Sequence, residues 1–232
     1  MILLVCSIGY AQKSKKKGSA AAPAKASKSF DRMQHYRQIY ASAVKYNDFA
    51  VATQALYEMI AISPNSKGLK DTLSQVYFQR AAWPQVVLLT MEILEDDPNN
   101  DGALELQAIA NQSLGRIKES LESYEKLYQS TQSPFHLYEI AALQYSMRRF
   151  GECEQSIKKL ASDPATQDKK ITISMQTGES QEVPISAAVM NLQGVVDLDQ
   201  GNKEDAKIAF ESAIKLFPEF QLAKNNLAEV MK

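Results

Sequence analysis

The feature that most constrains this chain is an internal repeat with a period close to 34 residues. Prolines, or a residue in the place of proline, recur at Pro64, Pro98, Gln132 and Pro164, which are separated by 34, 34 and 32 residues. A final segment ends in the same way at Pro218. A repeat of this length is typical of proteins built as arrays of small supersecondary units. Because one such unit cannot bury its own apolar face, its neighbours must stack against it to form a continuous core.

The segments between these residues have the pattern of amphipathic helices. Within residues 117–128 the apolar side chains follow the spacing i, i+4, i+7, i+10 and i+11, at Ile117, Leu121, Tyr124, Leu127 and Tyr128. This spacing puts all of them on one face of an α-helix. A lone helix pair cannot cover that face, so the pattern predicts helix pairs stacked along the chain.

The repeat resembles the tetratricopeptide repeat, a helix–turn–helix unit of about 34 residues. In that family positions 8 and 20 are small, position 15 is a glycine or polar turn, position 24 is large, position 27 is small or apolar and position 32 is proline. The unit that begins near residue 187 matches all of these positions, with Gly194, Gly201, Ala206, Phe210, Ala213 and Pro218. Weaker matches begin near residues 33, 67, 101 and 134, and the resemblance covers about residues 33–231.

The resemblance implies an all-α fold, a right-handed superhelical solenoid of about five helix–turn–helix units. Residues 219–232 have a helical apolar pattern and are predicted to form a C-terminal capping helix. Between Pro164 and Ala187 the repeat is interrupted, and alternating residues in 171–175 and 182–185 predict a short β-hairpin at about 168–186. The hairpin either packs on the last two units as an insertion or offers an edge that pairs with a strand of a partner.

The N-terminal residues differ in character from the repeats. Residues 1–11 combine an apolar run, Ile2 to Ile8, with small residues before a cleavage position after Ala11. They predict a signal peptide that lacks the usual charged n-region. Residues 12–29 are almost entirely Lys, Ala, Ser, Gly and Pro and predict a disordered linker, which leaves residues 30–232 for the solenoid domain. We expect an exported protein, periplasmic or envelope-associated, with a cytoplasmic location as the alternative.

The uneven distribution of charge limits the classes of partner. Residues 1–30 carry six lysines and no acid, so residues 31–232 carry 20 basic and 27 acidic groups, a net charge of −7. This acidic body lacks the broad basic face on which nucleic-acid binding depends, and we expect no nucleic acid among its partners. No segment reaches the roughly 18 to 20 apolar residues of a membrane span, so no stable span is expected.

The sequence contains no motif typical of catalysis or cofactor binding. It has no glycine-rich phosphate loop, nucleophile elbow, paired histidines on a helix or calcium loop. Cys153 takes a small-residue position of the repeat, which predicts a packed side chain rather than a nucleophile. His35 and His136 are 101 residues apart, so they predict no metal site, and both are expected at the surface. We therefore expect neither an enzyme nor a cofactor.

The resemblance places the binding surface on the concave face, which the first helix of each unit lines. The side chains that it implies there are one cation, several amides and several aromatic rings, at Arg37, Gln75, Phe78, Gln79, Gln112, Phe135, Tyr138 and Tyr145. Aromatic anchors and amides suit an extended or helical peptide. An alternative interpretation is that the aromatic rings only pack between helices.

Together these features predict a non-catalytic protein–protein interaction scaffold that binds a protein or peptide partner in the groove. The alternative is a structural protein that associates with itself, as a homo-oligomer, through the same surfaces. A minor alternative is an enzyme whose site is assembled from scattered residues.

Overall fold

The computed structural model describes residues 31–175 and 178–232, and most of these residues are helical. Residues 32–161 form four successive helix pairs: α1 (Arg32–Lys45) and α2 (Phe49–Ile62), α3 (Lys67–Gln79) and α4 (Trp83–Asp96), α5 (Asp101–Ser113) and α6 (Ile117–Thr131), α7 (Pro134–Ser146) and α8 (Phe150–Ala161). A short helix, α9 (Ala165–Asp168), and two strands, β1 (Lys170–Ser174) and β2 (Ser180–Pro184), follow. The chain then forms a fifth pair, α10 (Ile185–Asp199) and α11 (Lys203–Leu216), and the helix α12 (Gln221–Val230).

The helix pairs stack in chain order. The second helix of each of the first three pairs contacts the first helix of the next pair, and α10 contacts both α7 and α8. The described residues therefore form an all-α solenoid of five helix–turn–helix units with a hairpin insertion and a final helix, as predicted. Three units begin at the predicted residues 67, 101 and 134, and the other two begin one and two residues earlier than predicted, at 32 and 185.

The turn inside every helix pair has the same backbone geometry. One residue in each turn has a positive φ between 52° and 85°, and these residues are Asn47, Ala81, Gly115, Arg148 and Gly201. In each turn the amide of the next residue donates to a carbonyl five residues back, over 2.8 to 3.0 Å, which is a Schellman-type helix cap. Ala81 and Arg148 adopt this conformation although a Cβ disfavours it by roughly 1–2 kcal/mol. The packing of the helix pair thus imposes the turn even where glycine is missing.

Small residues at positions 8 and 20 of the repeat let the two helices of a pair approach closely. Ala52, Ala206 and Cys153 are fully buried, which agrees with the predicted packing role of the cysteine. Burial raises the pKa of the Cys153 thiol to about 11. Gly194 shows how close the approach is, because a Cβ at this residue would lie 2.6 Å from Cε1 of Phe210.

The β-hairpin packs against the C-terminal part of the solenoid. β1 and β2 pair antiparallel, and the cross-strand pair Ile171 and Val183 is buried. Gln181 joins the hairpin to the loop before α12: its Nε2 donates to the carbonyl of Glu219 at 2.6 Å, and its Oε1 accepts from the amide of Gln221 at 3.1 Å. These contacts support the interpretation of the hairpin as an insertion packed on the last units.

His136 is buried, so the prediction that it lies at the surface is wrong. Its Nδ1 lies 2.8 Å from the hydroxyl of Thr131, and its ring contacts the rings of Tyr124 and Phe135. Burial lowers the pKa of His136, which favours the neutral imidazole. The other histidine, His35, is exposed as predicted.

The predicted signal peptide and linker, residues 1–29, lie outside the described residues and stay predictions. In residues 31–175 and 178–232, no helix is both long enough and apolar enough to cross a membrane. The same part of the chain contains no group of three or more His, Cys, Asp or Glu side chains placed to hold a metal ion.

Candidate binding groove

The first helices of the five pairs form one continuous row. Between α1 and α3 lies a cleft of about 170 Å³, and α3 contacts α5 directly. The side chain of Gln112 on α5 lies close enough to the carboxyl group of Glu139 on α7 to affect its pKa. The hydroxyl of Tyr145 on α7 donates to Oδ2 of Asp199 on α10 at 3.0 Å. The first helices therefore lie side by side along the solenoid, with a cleft between α1 and α3 and direct contacts between α3 and α5 and between α7 and α10.

Four of the eight predicted groove residues are exposed: Arg37, Gln75, Gln79 and Gln112. Gln75 and Gln79 line the cleft between α1 and α3, and Gln75 also lines a larger cleft of about 340 Å³ between α3 and α5. Gln112 continues the series at the boundary of α5 and α7. Gln75 and Gln79 on α3 therefore share one cleft, and Gln112 lies on the next first helix, α5; neither Gln112 nor Arg37 lines these two clefts.

The other four predicted residues, Phe78, Phe135, Tyr138 and Tyr145, are half-buried and pack against the apolar core. The ring of Phe78 meets the ring of Trp83 edge to face, with 5.4 Å between the centroids. Burial also raises the pKa of the Tyr138 hydroxyl above its ordinary value. These rings contribute to packing, as the alternative interpretation stated, while part of each stays exposed.

The eight predicted binding residues include none of the carboxyl groups of the row. Glu139 is half-buried, and burial raises its pKa against the opposing effect of the Gln112 side chain. Asp71 and Glu105 line the cleft between α3 and α5. Burial, together with the charge of Asp97, raises the pKa of Asp71. A signal for this acidity exists in the sequence, because α5, α7 and α10 together contain five acids and no lysine or arginine.

The row offers two kinds of polar contact. Glutamine amides both donate and accept hydrogen bonds, so they can pair with the N–H and C=O groups of a peptide. Carboxylates accept hydrogen bonds and attract cations. This combination can pair with peptide backbone groups and can attract positively charged side chains.

Comparisons with known proteins identify the fold. The sequence matches no protein-family model and no curated protein sequence. A crystal structure of MamA protein matches with a TM-score of 0.63 at 14% identity, over 80% of this chain and 91% of that chain. The structure of YrrB, titled "a TPR protein with an unusual peptide-binding site", matches with a TM-score of 0.63 at 12% identity, over 82% and 89% of the two chains. MamA 41-end from Desulfovibrio magneticus RS-1 matches with a TM-score of 0.62 at 13% identity, over 83% and 98%.

At these identities the likeness concerns the fold alone. The chain has the tetratricopeptide-repeat fold, which confirms the resemblance seen in its 34-residue period. What the groove binds has to be argued from its own side chains.

Proposed function

We propose that this protein is a non-catalytic scaffold that binds a polypeptide partner along the row of first helices. The observation that carries the proposal is the set of three exposed glutamines on neighbouring first helices, Gln75 and Gln79 on α3 and Gln112 on α5. Solenoids present extended surfaces of this kind to their partners.

The geometry suits an extended peptide. Each glutamine amide can donate to a carbonyl and accept from an amide, so the row can pair with both kinds of backbone group. The clefts of about 170 and 340 Å³ lie on either side of α3 and have room for peptide side chains. Because the glutamines project from helices that the core holds in place, binding requires little ordering of the scaffold.

The charge of the row favours a partner rich in lysine or arginine over an acidic one. Asp71 and Glu105 line the cleft between α3 and α5, and Glu139 and Asp199 continue the series on α7 and α10. A basic segment would be attracted by these carboxylates. Since exposed charges are screened within about 8 Å at physiological ionic strength, we expect the association rate to fall as salt rises.

We also propose that the protein works outside the cytoplasm, in the periplasm or the envelope. The support is the apolar run from Ile2 to Ile8, followed by small residues up to Ala11. Mass spectrometry of the protein from its native cells tests this proposal. We expect a mature chain that begins at Gln12; a chain that keeps residues 1–11 and stays in the cytosolic fraction would contradict it.

The scaffold proposal is tested with a groove variant that carries Gln75→Ala, Gln79→Ala and Gln112→Ala. A matched control changes three exposed glutamines of the second helices, Gln85, Gln129 and Gln155, to alanine. Peptides are selected from a random display library on the wild-type protein, and their dissociation constants for the three proteins are measured by fluorescence anisotropy.

We expect the groove variant to bind the selected peptides about ten-fold more weakly or worse, and the control to bind like wild type. Equal binding by the groove variant would place the site elsewhere, and a selection that yields no peptide would argue against a peptide-binding scaffold. Sedimentation equilibrium of the same proteins tests the alternative of self-association. A mass that rises with concentration for wild type but not for the groove variant would favour a homo-oligomer.

A further inference from the structure

In all five units the residue at one structural position accepts, through its backbone carbonyl, the hydrogen bond that closes the turn. The residues at this position are Ala43, Tyr77, Asn111, Gln144 and Asp197. Three of these residues, Asn111, Gln144 and Asp197, place an amide or carboxyl group in a buried or half-buried environment. Oε1 of Gln144 accepts from the hydroxyl of Ser156 at 2.8 Å. Oδ1 of Asp197 accepts from Nε2 of Gln193 at 2.9 Å. In the fourth and fifth units a side-chain oxygen at this position, buried in Gln144 and half-buried in Asp197, therefore accepts a hydrogen bond from within the chain.

In the third unit the same position is not satisfied. Asn111 is 4% exposed, and its Oδ1 is the one buried side-chain polar atom of the described residues without a hydrogen-bond partner. Ser123 is the counterpart of Ser156, but its hydroxyl lies 3.0 Å from Oε1 of Gln107 and 3.0 Å from the carbonyl of Glu119. Asparagine is one methylene shorter than glutamine, so its oxygen does not reach the serine. A buried acceptor without a donor is unfavourable, and in a native protein it points to a donor supplied from outside.

Asn111 lines a cleft between the second helices α4 and α6. The cleft has a volume of about 200 Å³, and its lining includes Val87 and Met91 from α4 and Glu119 and Glu122 from α6. A water molecule occupies about 30 Å³ in the liquid, so the cleft is larger than a single bridging water requires. Drug-sized ligands occupy pockets of about 300–1,000 Å³, so the cleft is smaller than such a site. Its volume matches one amino-acid side chain.

We propose that this cleft binds a lysine or arginine side chain of a partner protein. The aliphatic stem of that side chain lies along Val87 and Met91, and its terminal N–H groups donate to Oδ1 of Asn111. Met91 is 50% exposed, so a stem packed on it removes apolar surface from water. The site is separate from the groove, since it lies between second helices.

The charged residues around the cleft favour neither a cation nor an anion, so the polar groups inside the cleft decide which ligand binds. The exposed lining residues Glu119, Glu122, Arg116 and Lys126 sum to zero net charge. Inside, Oε1 of Gln107 accepts one hydrogen bond from Ser123 and keeps capacity for a second, beside the unpaired oxygen of Asn111. A terminal ammonium or guanidinium group carries several N–H donors, so it can serve both oxygens, and hydrogen bonds from a charged donor are the stronger ones.

The proposal is tested by nuclear magnetic resonance on the folded domain with ¹⁵N and methionine-methyl labels. N-acetyl-lysine amide is the cationic probe, and N-acetyl-glutamine amide is a neutral probe with a terminal N–H donor. In the wild type we expect the lysine probe to shift the Met91 methyl and Asn111 side-chain signals, with the glutamine probe about five-fold weaker or worse. Asn111→Leu, which removes the acceptor at similar volume, should weaken lysine binding about ten-fold or more, read at the Met91 methyl.

A matched control and a second variant of Asn111 distinguish the possible outcomes of this test. Leu88→Ser changes an exposed apolar residue of α4 that does not line the cleft, and it should bind the lysine probe like wild type. Asn111→Asp keeps an acceptor and adds a charge, so it should bind the lysine probe more tightly than wild type. Unchanged lysine binding in Asn111→Leu, or weaker binding in Asn111→Asp, would overturn the role of the buried oxygen. Equal binding of the glutamine probe would overturn the cationic ligand, and no shifts in the wild type would overturn the site.

Discussion

The first helices of the first and the last pairs, α1 and α10, occupy the same place in the repeat but are packed very differently. Of the fourteen residues of α1 only Ala43 is buried, whereas eight of the fifteen residues of α10 are buried. α10 contacts α7, α8, α9, α11, α12 and β2. The stability of a solenoid is approximately a sum over its units and the interfaces between neighbours, so a pair with more interfaces is held more strongly. We therefore expect local opening to start at α1, while the last pair opens only with the whole domain.

The largest expected effect on the free energy of unfolding comes from truncating the side chain at the same repeat position in the first and the last pair. Phe210 and Leu56 both occupy position 24, and both are buried. Phe210→Ala should lower the free energy of unfolding by about 3–5 kcal/mol, and Leu56→Ala should lower it by about 2–3 kcal/mol because the surroundings of a less enclosed pair can collapse into the cavity. Urea unfolding followed by circular dichroism measures both. A larger loss of unfolding free energy for Leu56→Ala than for Phe210→Ala would contradict the expected difference between the two pairs.

A smaller effect is expected from filling the close contact in the last pair. Gly194→Ala forces a methyl group against the ring of Phe210 and should destabilise the domain by about 1–3 kcal/mol. Gly151→Ala in α8 is the matched control, because a Cβ there meets no atom within 4 Å. The control should be neutral or stabilising by up to about 1 kcal/mol. Scanning calorimetry measures both, and an unchanged melting temperature for Gly194→Ala would show that the close approach is not required.

The hydrogen bonds that join the hairpin to the last helix should contribute less to the stability of the domain. Gln181→Ala removes two hydrogen bonds to backbone groups that water can then reach, so it should cost about 1 kcal/mol. The loss should be local, and amide hydrogen exchange in α12 should become faster while exchange in α1 stays the same. Glu182→Gln, on the exposed face of the hairpin, is the control and should leave α12 unchanged. Unaltered exchange in α12 after Gln181→Ala would mean that apolar packing alone holds the cap.

The smallest expected effect is a dependence on pH near neutrality. Burial lowers the pKa of His136 in the folded chain below the unfolded value of about 6.5. As the pH falls through 6.5, the unfolded state therefore binds more protons than the folded state, and stability decreases. Melting temperatures at about pH 7.5 and 5.5 should differ less for His136→Phe than for wild type. A difference between the two melting temperatures that His136→Phe leaves unaltered would assign the pH dependence to other groups.

The repeat frame could be predicted because its signals are local and recur. The apolar period and the spacing of the prolines are sufficient to predict the order of the units, and nearly sufficient to predict their boundaries. The conformation of Ala81 and Arg148 could not be predicted, since neither residue favours a positive φ and the helix pair imposes it. The burial of His136 also escaped prediction, because Thr131 and Tyr124 of the preceding helix create its environment.

The candidate groove could be predicted only in part, for the same reason. The repeat frame places Gln75, Gln79 and Gln112 on the first helices, and all three are exposed in the structure. Their role in binding stays a prediction. The depth of Tyr138 and the position of Glu139 depend on contacts with neighbouring units. Such contacts join residues far apart in sequence, and no local pattern reports them.

The contact of Gln181 with the loop before α12 gives the domain a direction under mechanical load. Gln181 precedes the last helix pair, whereas Glu219 and Gln221 follow it, so the contact closes a loop of 38 to 40 residues around that pair. A force that pulls on α1 has to break one interface at a time, and the pairs should peel away in sequence. A force that pulls on α12 has to shear the hairpin contact and the helix packing together. The domain should therefore unfold at a low force when it is pulled at its first unit and at a higher force when it is pulled at its last helix.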